Sequence, residues 1–90
     1  MQNFKIYAVY DKKAQAYRYP HFLKQHGEAI RALEDSVNET QNSQNQIARH
    51  PADFALCHLG DFDDSTGKII GLNAPVIIQE AISLKGEKNA

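Results

Sequence analysis

The sequence predicts a small α+β domain: an antiparallel sheet of four or five strands with one helix packed on one face. Three observations predict it. Residues 4–11 alternate as a strand does, residues 26–38 carry the apolar stripe of an amphipathic helix, and residues 49–70 have the pattern of a hairpin. We expect a single domain over 1–84, followed by a flexible polar tail at 85–90.

The first predicted hairpin brings residues 4–11 against a return strand at 14–22. Side chains alternate between the faces of a strand, so one face should pack on the helix and the other should stay uncovered. The residues expected on the helix side are Phe4, Ile6, Ala8 and Tyr10. Those expected on the uncovered side are Lys5, Tyr7 and Val9, with some of Tyr17, Tyr19, Cys57 and Leu59. Pro20 cannot donate to a ladder, so the return strand should lie at an edge or end there.

The predicted helix follows this hairpin. Ile30, Leu33 and Val37 repeat at helical spacing within residues 26–38, which indicates one face on the sheet and one in water. The next segment, 38–50, is rich in Asn and Gln and is predicted to be a solvated loop.

The segment 49–70 predicts the second hairpin. A strand at 54–62 leads through a turn at 63–67 into a return strand, and Gly67 stands where the turn needs a positive φ. Beyond it, β-branched residues within 75–84 favour a further short strand. The predicted order is therefore β-β-α-β-β plus a short C-terminal strand.

Composition limits the class of protein. The formal net charge is −1, which argues against a strongly basic, histone-like binder of nucleic acid. Cys57 is the only cysteine, so no disulfide forms within the chain, and its apolar surroundings are typical of a buried residue in a reducing compartment. With no membrane span or signal peptide in the sequence, we expect a soluble, intracellular protein. Because so short a domain is marginally stable alone, we also expect a homo-oligomer, a dimer or larger.

No catalytic or metal-binding motif stands out. The acidic residues within 61–64 could suggest a calcium loop, but the bidentate glutamate of such a loop is missing and a turn explains them. The four histidines lack the spacing of a helical metal site, and Cys57 has no CxxC partner. We therefore expect neither an enzyme nor a bound metal or cofactor.

Aromatic and basic residues alternate around the first hairpin, as they do in proteins that bind single-stranded nucleic acid. Bases stack on the rings while cations follow the phosphates. The candidate stacking residues are Tyr7, Tyr17 and Tyr19. The candidate phosphate contacts are Lys5, Lys12, Lys13 and Arg18, with Lys24 and Arg31 further out. The alternative is that the tyrosines are half-buried sheet residues and the lysines a solvated rim, and the residues by themselves favour this alternative.

A resemblance changes that balance. The segments KIYAVYDKKAQAY (5–17), GEAIRALEDSVN (27–38) and HPADFALCHLGDFDDSTG (50–67) resemble the small nonstructural protein of gokushoviruses, Microviridae phages with single-stranded DNA genomes. The resemblance implies a non-capsid, DNA-binding protein of the host bacterial cytoplasm, which acts when replication switches to single-stranded genomes for packaging. We expect it to bind single-stranded DNA without strong sequence preference. A competing interpretation is a protein-interaction module that oligomerises and docks on a phage or host replication protein without binding DNA.

Overall fold

One main helix packs across part of an antiparallel sheet. The computed structural model describes residues 3–86. The strands are β1 (Asn3–Asp11), β2 (Ala16–Tyr17), β3 (His21–Leu23), β4 (Phe54–Asp63) and β5 (Lys68–Glu80). The helices are α1 (His26–Val37) and the single turn α2 (Gln46–Arg49), and short 3₁₀ turns lie at Pro51–Asp53 and Ala81–Leu84. The predicted α+β class is confirmed.

β1 and β4 form the centre of the sheet. They pair along the length of β1, from Asn3 opposite Asp63 to Asp11 opposite Phe54. β2 and β3 pair with the other side of β1, and β5 pairs with the other side of β4. The return strand predicted at 14–22 is thus split into β2 and β3, with Pro20 in the gap, because proline removes a ladder donor.

The second predicted hairpin is confirmed, and its turn is held by Asp63. The Oδ1 of Asp63 accepts hydrogen bonds from the backbone N of Ser65 at 2.9 Å and from its Oγ at 2.7 Å. These bonds lower the pKa of Asp63, the one from the Ser65 side chain most of all. Gly67 has a φ of 77°, and its N donates to the Asp63 O at 2.7 Å.

The return strand of this hairpin is longer than predicted. β5 is one strand of 13 residues, with bulges in its pairing to β4 between Leu56 and Cys57 and between His58 and Gly60. The separate C-terminal strand predicted within 75–84 is therefore wrong, because its first part belongs to β5 and its last part is a 3₁₀ turn. β5 lies at the edge of the sheet, where Pro75 and irregular pairing are tolerated.

The core lies between α1 and the sheet. Its buried residues come from β1, both helices, β4 and the final 3₁₀ turn: Tyr7, Ala29, Leu33, Val37, Ile47, Phe54, Leu56 and Ala81. Leu33 and Val37 come from the predicted stripe of α1, and Ile30 packs at the margin. Complete burial of such large apolar side chains contributes about 1.5–3 kcal/mol each.

The two faces of β1 are the reverse of the prediction. Tyr7 lies on the α1 side, is 1 % exposed, and is joined there by Val9. The even-numbered residues of β1 therefore lie on the opposite side, away from α1, which we call the open face. Ile6 and Ala8 are nevertheless buried there. There the rings of Tyr10 and Tyr17 lie 4.6 Å apart between centroids. β1 is apolar on both sides, so its alternation does not identify the side that meets the helix.

The solvated loop predicted for the Asn- and Gln-rich segment is confirmed over residues 39–44, which are exposed and irregular, but not beyond them. The rest of the segment contains α2, which buries Ile47 and Ala48. Asn45 caps this turn, because its Oδ1 accepts from the N of Ala48 at 3.3 Å. Its Nδ2 donates to the carbonyl oxygens of Ser36 at 2.9 Å and Glu39 at 2.8 Å. The burial of Ile47 and the hydrogen bonds of Asn45 therefore hold the second half of this polar segment against α1.

Residues at the end of the described chain form hydrogen bonds with the C-termini of both helices. The Nζ of Lys85 donates to the carbonyl oxygens of Val37 at 3.1 Å and Ala48 at 3.4 Å. The N of Gly86 donates to the Oδ1 of Asn38 at 2.7 Å. Helix C-termini have carbonyl oxygens without an intrahelical donor, and Lys85 supplies one to each helix. Of the tail predicted at 85–90, residues 87–90 lie outside the described residues.

We predict that Gly60 is required where β4 pairs with β5. A Cβ at Gly60 would collide with the carbonyl oxygen of Ile70 and lie 2.9 Å from the Cα of Gly71. Both neighbours are backbone atoms of a paired strand, so we expect Gly60→Ala to lower the free energy of unfolding by about 1–3 kcal/mol. Urea unfolding at one fixed protein concentration measures this change.

Gly71→Ala is the matched control, because Gly71 is the direct partner of Gly60 and a Cβ there meets nothing within 4 Å. We expect this variant to change the free energy of unfolding by no more than about 0.5 kcal/mol. Equal urea midpoints for Gly60→Ala and Gly71→Ala would contradict the close approach of Gly60 to the backbone of β5.

Candidate functional site

The exposed tyrosines predicted to bind nucleic acid gather at the β2 edge of the sheet. Tyr17 is 46 % exposed and Tyr19 87 %, and the exposed Arg18 lies between them. The N of Arg18 donates to the carbonyl oxygen of Val9 at 2.8 Å, which fixes the backbone against β1. Lys13 is exposed in the adjacent turn between β1 and β2. We call Lys13, Tyr17, Arg18 and Tyr19 the tyrosine edge.

Packing contacts orient two side chains of the tyrosine edge. The ring of Tyr17 lies against that of Tyr10 with an interplanar angle of 46°. The guanidinium carbon of Arg18 lies 5.7 Å from the centroid of the Phe54 ring, a favourable cation–π distance. Side chains held in this way lose less conformational entropy on binding than free ones do.

The turn that carries Lys13 is also well defined. The Oδ1 of Asp11 accepts hydrogen bonds from the backbone N of Lys13 at 3.0 Å and of Ala14 at 3.1 Å. Gln15 then adopts a φ of 56°, which lets the chain reverse into β2. The charge of Lys13 is thus placed beside the tyrosines by a folded turn.

A cavity of about 390 Å³ lies between the tyrosine edge and α1. This volume lies within the range of small-ligand sites. Arg18, Tyr19 and His21 line it on one side and α1 on the other. The rest of the lining is mainly apolar and includes Tyr7 and Leu33 from the core. The tyrosine edge therefore combines an exposed stacking surface with an apolar recess.

The other predicted cations are not gathered at the tyrosine edge. The Nζ of Lys12 donates to the Oε1 of Glu80 at 2.7 Å, so this lysine is already paired. Lys5 and Lys24 lie by the pairing of β1 with β3, away from the β1–β2 turn. Arg31 is exposed on α1. Of the cations predicted to contact phosphates, Lys13 and Arg18 are therefore the two that lie next to the exposed tyrosines.

Tyr7 is not available for stacking, contrary to the prediction. Its ring is buried against His26 and His58, with centroids 5.5 Å away in each case. Its phenol oxygen lies 2.6 Å from the Nδ1 of His26. Burial raises the pKa of Tyr7, and the charges of Asp61 and Glu28 add to the shift, so the phenol keeps a proton to donate.

His26 and His58 complete a polar cluster beside the core. Their ring centroids lie 5.3 Å apart, and the Nε2 of His58 lies 3.0 Å from the O of Gly60 and 3.3 Å from the Oδ1 of Asp61. Burial lowers the pKa of His26, and the charges of His58 and Lys5 lower it further. Neutral His26 accepts a hydrogen bond at Nδ1 from the phenol of Tyr7, and this bond joins the start of α1 to the sheet.

Sequence reasoning missed the aromatic residues of the open face. Phe22 is 44 % exposed there, and its ring meets that of Phe62 at 5.5 Å between centroids. In the structure Phe22 and Phe62 pair in register with Ile6 and Phe4 of β1. The sequence signal was the apolar character of the even-numbered residues of β1. It would have been found by placing the even-numbered residues of β1 on the uncovered side.

The fold and the site define a small α+β domain that presents an aromatic, basic edge to its surroundings. Residues 4–84 match the family model described as Phage ORF5 protein, and the chain belongs to this family. The chain is 33 % identical to Protein ORF5 of Chlamydia phage 1 over an alignment of 75 residues. This alignment covers 79 % of this chain and 75 % of that protein. That phage is a gokushovirus of the Microviridae, so the resemblance to a small phage nonstructural protein is confirmed.

No solved structure matches this chain. Among residues 3–86, neither helix has the length and apolar character needed to cross a membrane.

We predict that stability falls as the pH is lowered through the histidine range. The pKa of His26 is lower in the folded chain than in the unfolded chain, where it is about 6.5. As the pH falls below about 6.5, His26 is protonated in the unfolded state before it is protonated in the folded state. The stabilisation from neutral His26 is therefore complete above about pH 6.5 and is lost as the pH falls towards the folded-state pKa. Urea unfolding between about pH 7.5 and pH 5.5 measures this loss.

His26→Gln should flatten this pH dependence, whereas His50→Gln, at an exposed position outside the cluster, should retain it. If the free energy of unfolding of His26→Gln changed with pH as much as that of the wild type, His26 would not be the group that causes the pH dependence.

Proposed function

We propose that this phage accessory protein binds single-stranded DNA, without strong sequence preference, through the tyrosine edge. The observation that carries the proposal is the exposure of two tyrosine rings on either side of an arginine, with Tyr19 87 % exposed. Every base offers a π-face, so such rings stack on bases of any sequence. Arg18 between them supplies a donor for the phosphate that joins the two stacked nucleotides.

The local charge supports this proposal although the whole chain is close to neutral. Residues 12–27 include four Lys or Arg residues and no Asp or Glu. This segment contains the whole tyrosine edge, so a local positive potential accompanies the exposed rings. With few phosphate contacts, the binding is expected to be modest and sensitive to salt.

The family supports a role during infection. The chain belongs to the Phage ORF5 family and is similar to a protein of a Microviridae phage. These phages have single-stranded DNA genomes, so single-stranded DNA is the proposed partner in the host bacterial cytoplasm. The proposed step is the switch to single-stranded genome synthesis and packaging.

A protein-interaction module is the second candidate function. The apolar side chains exposed along β5 favour it, since these residues offer neither rings nor charge to DNA. In that case the domain would dock on a phage or host replication protein, and the tyrosine edge would form part of a protein interface.

Fluorescence anisotropy with a labelled oligo-dT tests the proposal at low and near-physiological salt. The double variant Tyr17→Ala/Tyr19→Ala should weaken binding by about 1–3 kcal/mol for each lost stack. Its dependence on salt should be unchanged, because no phosphate contact is lost. Arg18→Gln should instead reduce the salt slope by about one.

Ile82→Ala is the control, since Ile82 is 48 % exposed and lies in the 3₁₀ turn after β5. It should bind as the wild type does. Absence of binding at low salt would reject the proposal, and so would a tyrosine double variant with wild-type affinity.

A further inference from the structure

The cavity between α1 and the tyrosine edge extends to the hydrophobic core. Its volume is about 390 Å³. Protein interiors are close-packed and contain few voids larger than a water molecule. The packing of this short chain on itself therefore does not account for an apolar space of this size, whereas a bound ligand would. The inner wall is formed by apolar side chains of the sheet and of both helices: Val9, Leu23, Leu33, Ile47 and Leu56.

Small residues of α1 leave this space open. Ala29, Ala32 and Ser36 line the cavity from the helix. They are three and four residues apart, so they lie on one face of α1. Ala29 is buried, Ser36 is half-buried and Ala32 is exposed, so this wall leads from the core to the surface. The cavity can therefore be filled by substitution at Ala32 or Ser36, which are not members of the core.

The mouth of the cavity carries a positive charge. Arg18 lies there with Tyr19 and His21, and none of the described residues that line the cavity is acidic. A guanidinium group binds phosphate through two parallel hydrogen bonds. The apolar walls and this cation together suit a ligand that has a flat apolar part joined to an anionic part. A nucleotide has both parts.

Tyr19 connects the cavity with the surface proposed to bind the strand. It lines the cavity and is also 87 % exposed. The backbone N of Arg18 donates to the carbonyl oxygen of Val9 at 2.8 Å, and the side chain of Val9 lines the same cavity. The mouth is thus fixed against the central strand. A base stacked on the ring of Tyr19 lies at the entrance to an apolar space.

A base that enters this space needs partners for its polar edge, because burial of unpaired polar groups is costly. The hydroxyl of Ser36 can donate and accept a hydrogen bond, and the ring nitrogens of His21 add a donor or an acceptor at the mouth. So few polar groups do not select one base over the others. This property agrees with binding that has no strong sequence preference.

We propose that the cavity holds one nucleobase of the bound strand, the base stacked on Tyr19, with the adjoining phosphate at Arg18. The proposal rests on the proposed function and adds to it a site for a single nucleotide. A base in a single strand has no pairing to lose, so its removal from the row of its neighbours costs little. Burial of the base against apolar walls stabilises the complex. The strand is then held at one nucleotide instead of sliding along the edge.

Methyl NMR of the full chain, titrated with thymidine monophosphate, tests the cavity by itself. Saturable shifts are expected for the methyl groups of Leu33 and Leu56, which line the cavity, and not for those of Ile70 in β5. Thymidine, which lacks the phosphate, should give the same shifts with an affinity about tenfold lower, since it loses a charge-assisted hydrogen bond. Arg18→Gln should remove this difference between the two probes.

Variants that fill the cavity test whether a base of the strand enters it. Ala32→Phe and Ser36→Leu should each abolish the methyl shifts caused by thymidine monophosphate. Each should also weaken binding of labelled oligo-dT about tenfold, because one buried base is lost. Ala74→Phe is the matched control, since Ala74 is exposed in β5 at the opposite edge of the sheet, and it should bind both probes as the wild type does. Urea unfolding checks that the variants are folded.

Three outcomes would overturn the inference. If oligo-dT bound both filled variants as it binds the wild type, the cavity would not hold a base, and the proposed function would stand. If octanoate bound more tightly than thymidine monophosphate, the occupant would be an apolar carboxylate and not a nucleotide. Shifts with thymidine monophosphate but no binding of oligo-dT would reject the proposed function and the strand as the source of the nucleotide.

Discussion

The burial of Tyr7 under α1 is the contact on which the rest of the structure depends. Tyr7 lies in the central strand, and its hydroxyl meets His26 at the start of the helix at 2.6 Å. A buried phenol needs a polar partner, and His26 provides one only when the helix begins at this point over the sheet. The position of α1, the side of the sheet that it covers and the side that stays open all follow from this contact.

A single helix of 12 residues is too short to cover a sheet whose edge strand has 13. At 1.5 Å per residue the helix is about 18 Å long, whereas β5 pairs along residues 55–63 of β4, a span of about 30 Å. Apolar residues beyond the reach of α1 therefore stay at the surface. The two edges that result differ in chemistry, one aromatic and basic and the other aliphatic and uncharged in its centre. Surfaces on opposite edges can serve two partners at once.

The local sequence predicts β1, α1 and the β4–β5 hairpin, but not which of their surfaces are buried. The stripe ending at Leu33 and Val37 and the turn closed by Gly67 are local signals, and both were predicted correctly. The side of β1 that meets the helix is not a local property. Phe4 and Ile6 are as apolar as Tyr7 and Val9, so composition does not distinguish the two faces. In the structure, the helix side is the one on which Tyr7 packs in the core and meets His26. The same ambiguity put Tyr7 among the candidate stacking residues.

Two further errors share a physical cause. Ile47 is one apolar residue in a polar segment, too little to predict a buried turn, yet Asn45 satisfies enough backbone groups to hold it in place. Pro75 normally ends a strand, but at a sheet edge the missing donor costs little and β5 continues. In both places tertiary position overrides local preference. Tyr17 and Tyr19, by contrast, lie in a short edge strand and its connection, where exposure follows from the local sequence.

The hydrogen bonds made by Lys85 have a consequence for the order of events during synthesis. Lys85, which completes the C-termini of both helices, is synthesised after every helix and strand of the described chain. The central pair β1 and β4 also joins segments about fifty residues apart in the chain. Contacts this distant in sequence slow folding, because the chain must close a long loop before they contribute. We therefore expect the two helices to gain these hydrogen bonds only after all five strands have been synthesised.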